Sequence, residues 1–136
     1  MAYLLMVDDN PQSQRYLARI VRLRSRHELG LANNGQEAIE SIARRRPDLV
    51  FLDLYIPGID GFELLGRLRH HPATAGLPVI VHSAVPFDEA TQIRLRRLPT
   101  DGLLEFPVAA SELVRLIDAA LDRHRRQVRR WQPPSA

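Results

Sequence analysis

The fold of this chain is decided by residues 48–61, which read DLVFLDLYIPGIDG. Residues 49–52 form a continuous apolar run with β-branched and aromatic members, and the run is too short for a helix. Such a run is typical of a strand buried on both faces, as in a parallel sheet covered by helices. The run ends in an acid, Asp53, and a loop rich in proline and glycine follows. Open α/β sheets bind ligands at the carboxyl ends of their strands, so Asp53 is a candidate functional residue unless it only caps a turn.

The length and composition are those of one soluble globular domain. The chain has 136 residues, of which 45% are hydrophobic and 26% charged, which is enough for a proper core. No apolar run approaches the ~18 residues of a membrane span, and the first ten residues lack the basic region of a signal peptide. The chain has no cysteine, which excludes disulfides and cysteine-based zinc sites. We therefore expect a cytoplasmic protein.

The basic charge is concentrated at the carboxyl end. All 19 basic residues are arginines, and the chain has no lysine. Residues 1–122 carry 14 arginines and 16 acids, a balance of −2, whereas residues 123–136 carry five arginines and no acid. We predict a folded domain over residues 1–122 and a basic tail over residues 123–136, disordered from Pro133. Trp131 among these arginines could stack on a nucleic-acid base, although a solvated continuation of the last helix is the more common outcome.

Short apolar runs alternate with helical patterns five times along the chain. This alternation predicts a parallel sheet with helices on both faces, and right-handed crossovers narrow the topology to a doubly wound sandwich. The predicted strands cover residues 3–7, 27–32, 49–52, 78–84 and 102–106. The first predicted helix starts at Pro11 after an Asn10 N-cap, the second covers residues 37–46 and the third contains Phe62 and Leu68. The fourth covers residues 87–98, and the fifth follows a Ser111 N-cap.

Three acids and a hydroxyl follow the predicted strands at one edge of the sheet, because parallel strands all end on the same side. Asp8 and Asp9 follow the first strand, Asp53 ends the third and Ser83 lies at the end of the fourth. Two carboxylates 4 Å apart repel by up to about 4 kcal/mol at an effective dielectric constant of about 20. We therefore expect a cation here, and a raised pKa for at least one acid in its absence. Hard oxygen ligands favour Mg²⁺, while Ser83 either bonds an oxyanion or caps the next helix.

Taken together, these motifs resemble the receiver domain of two-component response regulators, from residue 2 to about residue 122. The resemblance implies a flavodoxin-like fold, an α/β sandwich whose five parallel strands have the order 2-1-3-4-5. The matching segments are Val7–Asn10, Asn34–Ala38, Asp53–Gly61, His82–Ala84 and Pro107.

The resemblance also implies roles for the residues at the edge of the sheet. Asp53 would accept a phosphoryl group from a sensor histidine kinase or a phosphotransfer protein. Asp9, Asp53 and the backbone carbonyl of Tyr55 would ligate Mg²⁺, with Asp8 acting through water. Ser83 would be the switch hydroxyl that bonds the aspartyl phosphate.

Two positions depart from the family pattern. Receivers usually end the fifth strand with Asp-Gly-Tyr-Leu-x-Lys-Pro, whereas residues 101–107 read DGLLEFP. Phe106 thus occupies the position of the lysine that pairs with the phosphate, and Leu103 that of the switch aromatic. We predict a degenerate switch; the alternative is that Phe106 is a core residue in a receiver that still works. The Phe106–Pro107 peptide is expected to be cis, as in the family.

The leading interpretation is a stand-alone signalling module rather than an enzyme. It would contact a downstream partner, or a second copy of itself, through the surface of residues 87–121. One alternative is an Mg²⁺-dependent phosphotransfer enzyme for small molecules, although the Asp-x-Asp pattern of aspartate-based phosphatases is missing at Asp53. Another is nucleic-acid binding through the tail. His70 and His71 are expected to be solvated at a helix end, and His82 to be a partly buried sheet residue.

Overall fold

Strands and helices alternate throughout residues 1–130, whose backbone the computed structural model describes, together with the side chains of residues 1–126. The strands are all parallel and have the order β2-β1-β3-β4-β5, so the predicted fold is confirmed. The elements are β1 (Tyr3–Val7), α1 (Pro11–Arg24), β2 (Glu28–Ala32), α2 (Gly35–Arg44), β3 (Leu49–Asp53), α3 (Gly61–His70), β4 (Val79–Ser83), α4 (Glu89–Leu95), β5 (Gly102–Glu105) and α5 (Ala110–Arg130).

Helix bounds differ from the prediction where capping side chains decide them. The predicted Asn10 N-cap is confirmed, since its side chain accepts a hydrogen bond from a backbone N–H of the first turn of α1. Asn34 caps α2 in the same way, so this helix starts two residues earlier than predicted. Asp88 caps α4, which is therefore shorter than predicted. Ser111 is not an N-cap, because α5 already begins at Ala110.

Strand β3 is buried on both faces, as its apolar run predicts. Val50 and Leu52 pack in the layer formed with α2, α3 and α4, whereas Leu49 and Phe51 pack in the layer formed with α1 and α5. All four side chains are fully buried. Because each side chain within this run is apolar, Asp53 at the carboxyl end is the first polar group of the strand, and it lies at the edge of the sheet.

The neighbours of β3 bring their own carboxyl ends to this edge. Val7 of β1 pairs with Leu52, and on the other side His82 of β4 pairs with Asp53. Asp8, the residue after β1, therefore lies close to the end of β3. The Phe106–Pro107 peptide that follows β5 is cis, as predicted.

Helix α5 continues past the boundary predicted at residue 122. The guanidinium of Arg123 donates a hydrogen bond to the carbonyl of Asp101 at 2.8 Å, and it lies 3.8 Å from a carboxylate oxygen of the same residue. The start of the predicted tail therefore contacts the domain, and the boundary itself stays a prediction. Trp131 and the segment from Pro133 lie outside the described residues. Within the described part of the chain, each helix is too short or too polar to cross a membrane.

Candidate functional site

Asp8 is a buried acid at the centre of the site. Its side chain is 1% exposed, and each carboxylate oxygen has a partner. Oδ1 accepts a hydrogen bond from the backbone N–H of Asn10 at 2.8 Å, and Oδ2 lies 2.8 Å from Nε2 of His82. Burying a carboxylate is costly unless it is hydrogen-bonded, and these two contacts meet that requirement.

Asp53 is half-buried at the end of β3. The backbone N–H of Tyr55 donates to its Oδ1 at 3.0 Å. Burial raises the pKa of the Asp53 carboxyl above its ordinary value, the Tyr55 bond and the imidazole of His82 oppose the rise, and the charges of Asp8 and Asp9 add to it. The predicted raised pKa is therefore confirmed for Asp53. Its largest cause is desolvation, however, and like-charge repulsion is only a minor one.

Three side chains meet at this edge of the sheet. One ligand atom each of Asp8, Asp53 and His82 lies within 4.8 Å of the other two. The predicted convergence of Asp8 and Asp53 is thus observed, while Asp9 is exposed and outside this cluster.

His82 is the residue that the sequence interpretation missed. It is fully buried rather than partly buried, because β4 is an inner strand and its side chains are covered on both faces. The sequence could have indicated His82 as a site residue, because it is a lone polar side chain in an apolar strand, one residue before Ser83. The sequence pattern did not show that its ring reaches Asp8.

Ser83 is fully buried at the end of β4. Its Oγ accepts a hydrogen bond from the backbone N–H of Val85 at 3.1 Å, and its carbonyl accepts one from the N–H of Phe106 at 2.9 Å. The alternative that Ser83 caps the next helix is wrong, because Asp88 caps α4. The hydroxyl instead holds the first turn of the loop between β4 and α4.

Phe106 lies over the buried histidine. Its ring is 4.8 Å from that of His82, at an interplanar angle of 32°, and meets the ring of Tyr16 edge-on at 5.7 Å. The hydroxyl of Tyr16 in turn donates to the carbonyl of Val108. Phe106 therefore extends the apolar layer of α1 and α5 up to the carboxylates. Leu103, at the other departing position, is 43% exposed.

The donor set fits a hard divalent cation. Mg²⁺ is usually bound by one or two carboxylates and keeps several waters. The Tyr55 bond engages one lone pair of Asp53 Oδ1, which leaves the second lone pair of this oxygen open to a metal ion and Oδ2 open to a reactant. The exposed Asp9 is accessible from solvent. Asp8 has both oxygens engaged, which suits contact through water better than direct ligation.

Comparisons with known proteins agree with this arrangement. The model of the response regulator receiver domain matches residues 4–118. An uncharacterised 14.6 kDa protein from Leptolyngbya boryana is 37% identical over 114 residues, which cover 84% of this chain and 86% of that protein. PilH from Pseudomonas aeruginosa is 28% identical over 121 residues, 89% of this chain and 98% of PilH.

A solved structure has the same fold. The signal receiver domain of a modulated diguanylate cyclase from Desulfovibrio desulfuricans superposes with a TM-score of 0.82 at 29% identity, covering 93% of this chain and 98% of that one. Some relatives are much longer, since the chain spans only 22% and 39% of two protein-glutamate methylesterases. The comparisons lend no support to a small-molecule phosphotransfer enzyme or to a nucleic-acid binder. The chain belongs to the receiver domain family of two-component response regulators.

Proposed function

We propose that this chain is a receiver module that accepts a phosphoryl group on Asp53 in the presence of Mg²⁺. The observation that carries the proposal is the half-buried Asp53 carboxylate, oriented by Tyr55 and placed beside the buried Asp8. Its metal ligands would be Asp9, Asp53 and the carbonyl of Tyr55, with Asp8 acting through water. Ser83 would bond the aspartyl phosphate through its hydroxyl.

The proposed reaction is a nucleophilic attack by the Asp53 carboxylate, which the backbone N–H of Tyr55 orients. Oδ2 attacks the phosphorus of the donor, and the bond from phosphorus to the donor's leaving atom breaks, with its electron pair staying on the leaving group. That group is an imidazole when a histidine kinase or phosphotransfer protein is the donor, and acetate when the donor is acetyl phosphate. The Tyr55 N–H keeps Oδ1 in place during this step. Bound Mg²⁺ would balance the charge of the phosphoryl oxygens.

The output of the module would be a protein contact through residues 87–121. Two large apolar side chains of this surface, Ile93 and Leu103, are 45% and 43% exposed. Exposed apolar groups of this kind favour association with a downstream protein or with a second copy of the chain. The module would itself catalyse no conversion of a small molecule, and we keep a cytoplasmic location as a prediction.

Intact-mass measurement after incubation with acetyl phosphate and Mg²⁺ tests the proposal. The wild type should gain the mass of one phosphoryl group, and Asp53→Ala should not. Asp118→Ala, which removes an exposed acid of α5, serves as the matched control and should be labelled like the wild type. A wild type that stays unlabelled, or labelling that survives Asp53→Ala, would contradict the assignment.

A further inference from the structure

Phe106 occupies the sequence position of the family lysine, and its ring packs on the imidazole of His82. Nε2 of His82 is 2.8 Å from Oδ2 of Asp8, both side chains are 1% exposed, and the Phe106 ring covers the imidazole. We propose that His82 replaces the missing lysine as the side-chain hydrogen-bond donor of the carboxylate cluster, and that it positions Asp8 for the metal and the phosphoryl group. This inference rests on the proposed function and names a positioning residue for it.

The geometry makes His82 a donor to Asp8 rather than a metal ligand. Its Nδ1 is buried and has no hydrogen-bond partner among the described residues. A histidine that binds metal through one nitrogen almost always donates the N–H of the other to an acceptor. Here a hydrogen on Nδ1 would be a buried donor without an acceptor, which is costly. A hydrogen on Nε2 instead serves the bond to Asp8.

The placement of His82 is not explained by packing alone. The other β4 side chains before Ser83, namely Val79, Ile80 and Val81, are apolar and fully buried. A leucine or valine at position 82 would continue this pattern without burying a polar ring. The imidazole instead supplies the second of the two partners that the Asp8 carboxylate has among the described residues, and the first is the backbone N–H of Asn10. A carboxylate held at both oxygens has a fixed orientation.

The donor role of the family lysine, at position 106 after β5, would thus be taken over by His82 on β4. A lysine at position 106 would extend from the end of β5 toward the acids, where the imidazole now lies. Phe106 gives up that donor and packs on the imidazole, between it and Tyr16. The two positions should therefore be energetically coupled, so that a lysine at 106 speeds the labelling of Asp53 mainly when the histidine is missing.

Substitutions at position 82 separate a donor from a packing role. The amide nitrogen of His82→Gln reaches about as far as Nε2, whereas that of His82→Asn reaches only as far as Nδ1; His82→Leu keeps the bulk without a donor. The first readout is the Mg²⁺ dissociation constant from calorimetric titration. We expect His82→Gln to bind like the wild type, and His82→Asn and His82→Leu to bind about 10- to 100-fold more weakly, the usual loss when the partner of a metal-site ligand is removed.

The second readout is the rate of labelling by acetyl phosphate at saturating Mg²⁺. Phe106→Lys should raise the rate more than about tenfold in the His82→Leu background and change it little in the wild type. Thermal unfolding without metal checks that each variant folds. If His82→Leu does not fold, the glutamine and asparagine pair decides the question through Mg²⁺ binding.

Three results would overturn the proposal. If the glutamine, asparagine and leucine variants all bind Mg²⁺ as tightly as the wild type, His82 is a packing residue only. Tighter binding of Ni²⁺ than of Mg²⁺ by the wild type, lost in His82→Gln, would make His82 a direct ligand. Equal effects of Phe106→Lys in both backgrounds would show that the two positions are independent. An unlabelled wild type would refute phosphoacceptance at Asp53, while the Mg²⁺ comparison would still decide the role of His82.

Discussion

The carboxylate of Glu105 accepts a hydrogen bond from the backbone N–H of Phe87, with 3.1 Å between Oε1 and the nitrogen. Glu105 is the last residue of β5, and Phe87 is a buried residue of the loop between β4 and α4. This loop begins at Ser83, whose carbonyl also bonds the chain after β5. The loop through which phosphorylation would be reported is therefore tied to β5 by contacts that involve neither metal nor phosphate.

Removing this contact should loosen the loop. Glu105→Ala leaves the partly buried N–H of Phe87 without its acceptor, and we expect a loss of about 1 kcal/mol of unfolding free energy. Glu105→Gln keeps a side-chain oxygen at the same reach and should stay close to the wild type. Denaturant unfolding measures the first effect, and amide hydrogen exchange at Phe87 should accelerate only in the alanine variant. A Phe87 amide that stays equally protected in Glu105→Ala would show that the contact does not hold the loop.

Two glycines of α3 should respond in opposite directions to alanine. A Cβ on Gly61 would lie 2.7 Å from the carbonyl oxygen of Asp53 and would also clash with the backbone of Leu54. Because backbone must move to relieve this overlap, Gly61→Ala should cost about 1–3 kcal/mol and disturb the loop that orients Asp53. A Cβ on Gly66 meets no atom within 4 Å, so Gly66→Ala should stabilise the helix by about 0.5–1 kcal/mol. Thermal unfolding of both variants measures the contrast; equal effects would contradict it.

The strands and their common edge could be predicted from the sequence because they depend on short apolar runs and on the rule that parallel strands end together. Tyr3–Val7 was predicted with the bounds that the structure has. The contact between His82 and Asp8 could not be predicted in this way, because it joins residues 74 positions apart and depends on how far the ring reaches across β3. The same holds for Phe106. The sequence shows that Phe106 stands in place of the family lysine, whereas only the fold shows that the Phe106 ring covers the imidazole of His82.

Metal binding and pH should act on stability through Asp53. The folded-state pKa of Asp53 is raised, chiefly by burial, so its ionised form is a cost to the folded state at neutral pH. This cost is relieved as the pH falls through the raised folded value toward the unfolded value near 3.9. Asp53→Asn should therefore stabilise the metal-free protein at pH 7, by less than about 1 kcal/mol because the exposed part of the group is screened. The gain should vanish below about pH 4.

Mg²⁺ should relieve the same cost in the wild type. Binding only to the folded state stabilises it by about 2.7 kcal/mol when free Mg²⁺ is 100 times the dissociation constant, and Asp53→Asn should lose much of this response. Thermal unfolding over a series of pH values, with Mg²⁺ from zero to tens of millimolar, measures both effects. A melting temperature that is indifferent to Mg²⁺ in the wild type would refute the metal site, and a gain from Asp53→Asn that grows toward low pH would refute the raised pKa.

The last prediction concerns switching, for which the family pattern uses a lysine and an aromatic side chain that this chain lacks. Phe106 is held in the apolar layer by its contacts with His82 and Tyr16, and Leu103 is exposed beside α4 and α5. Phe106 cannot pair with a phosphoryl group as the family lysine does, and Leu103 cannot act as the switch aromatic. We therefore expect the surface of residues 87–121 to be similar with and without phosphate, and partner binding to be largely constitutive.

Beryllofluoride, a mimic of the phosphoryl group, provides the measurement. A ligand shifts a conformational equilibrium only by its different affinities for the two states. Partner affinity, or dimerisation, should therefore change by less than about tenfold when beryllofluoride and Mg²⁺ are added. This limit corresponds to about 1.4 kcal/mol, near the lower end of the about 1–3 kcal/mol typical of allosteric proteins. The double variant Leu103→Tyr, Phe106→Lys restores both family side chains and should gain a response above tenfold, with Phe106→Lys alone as its control. A wild type that already responds by tenfold or more would mean that the contacts of Ser83 and the tie between Glu105 and Phe87 suffice to carry the signal, and that the loss of the lysine is tolerated.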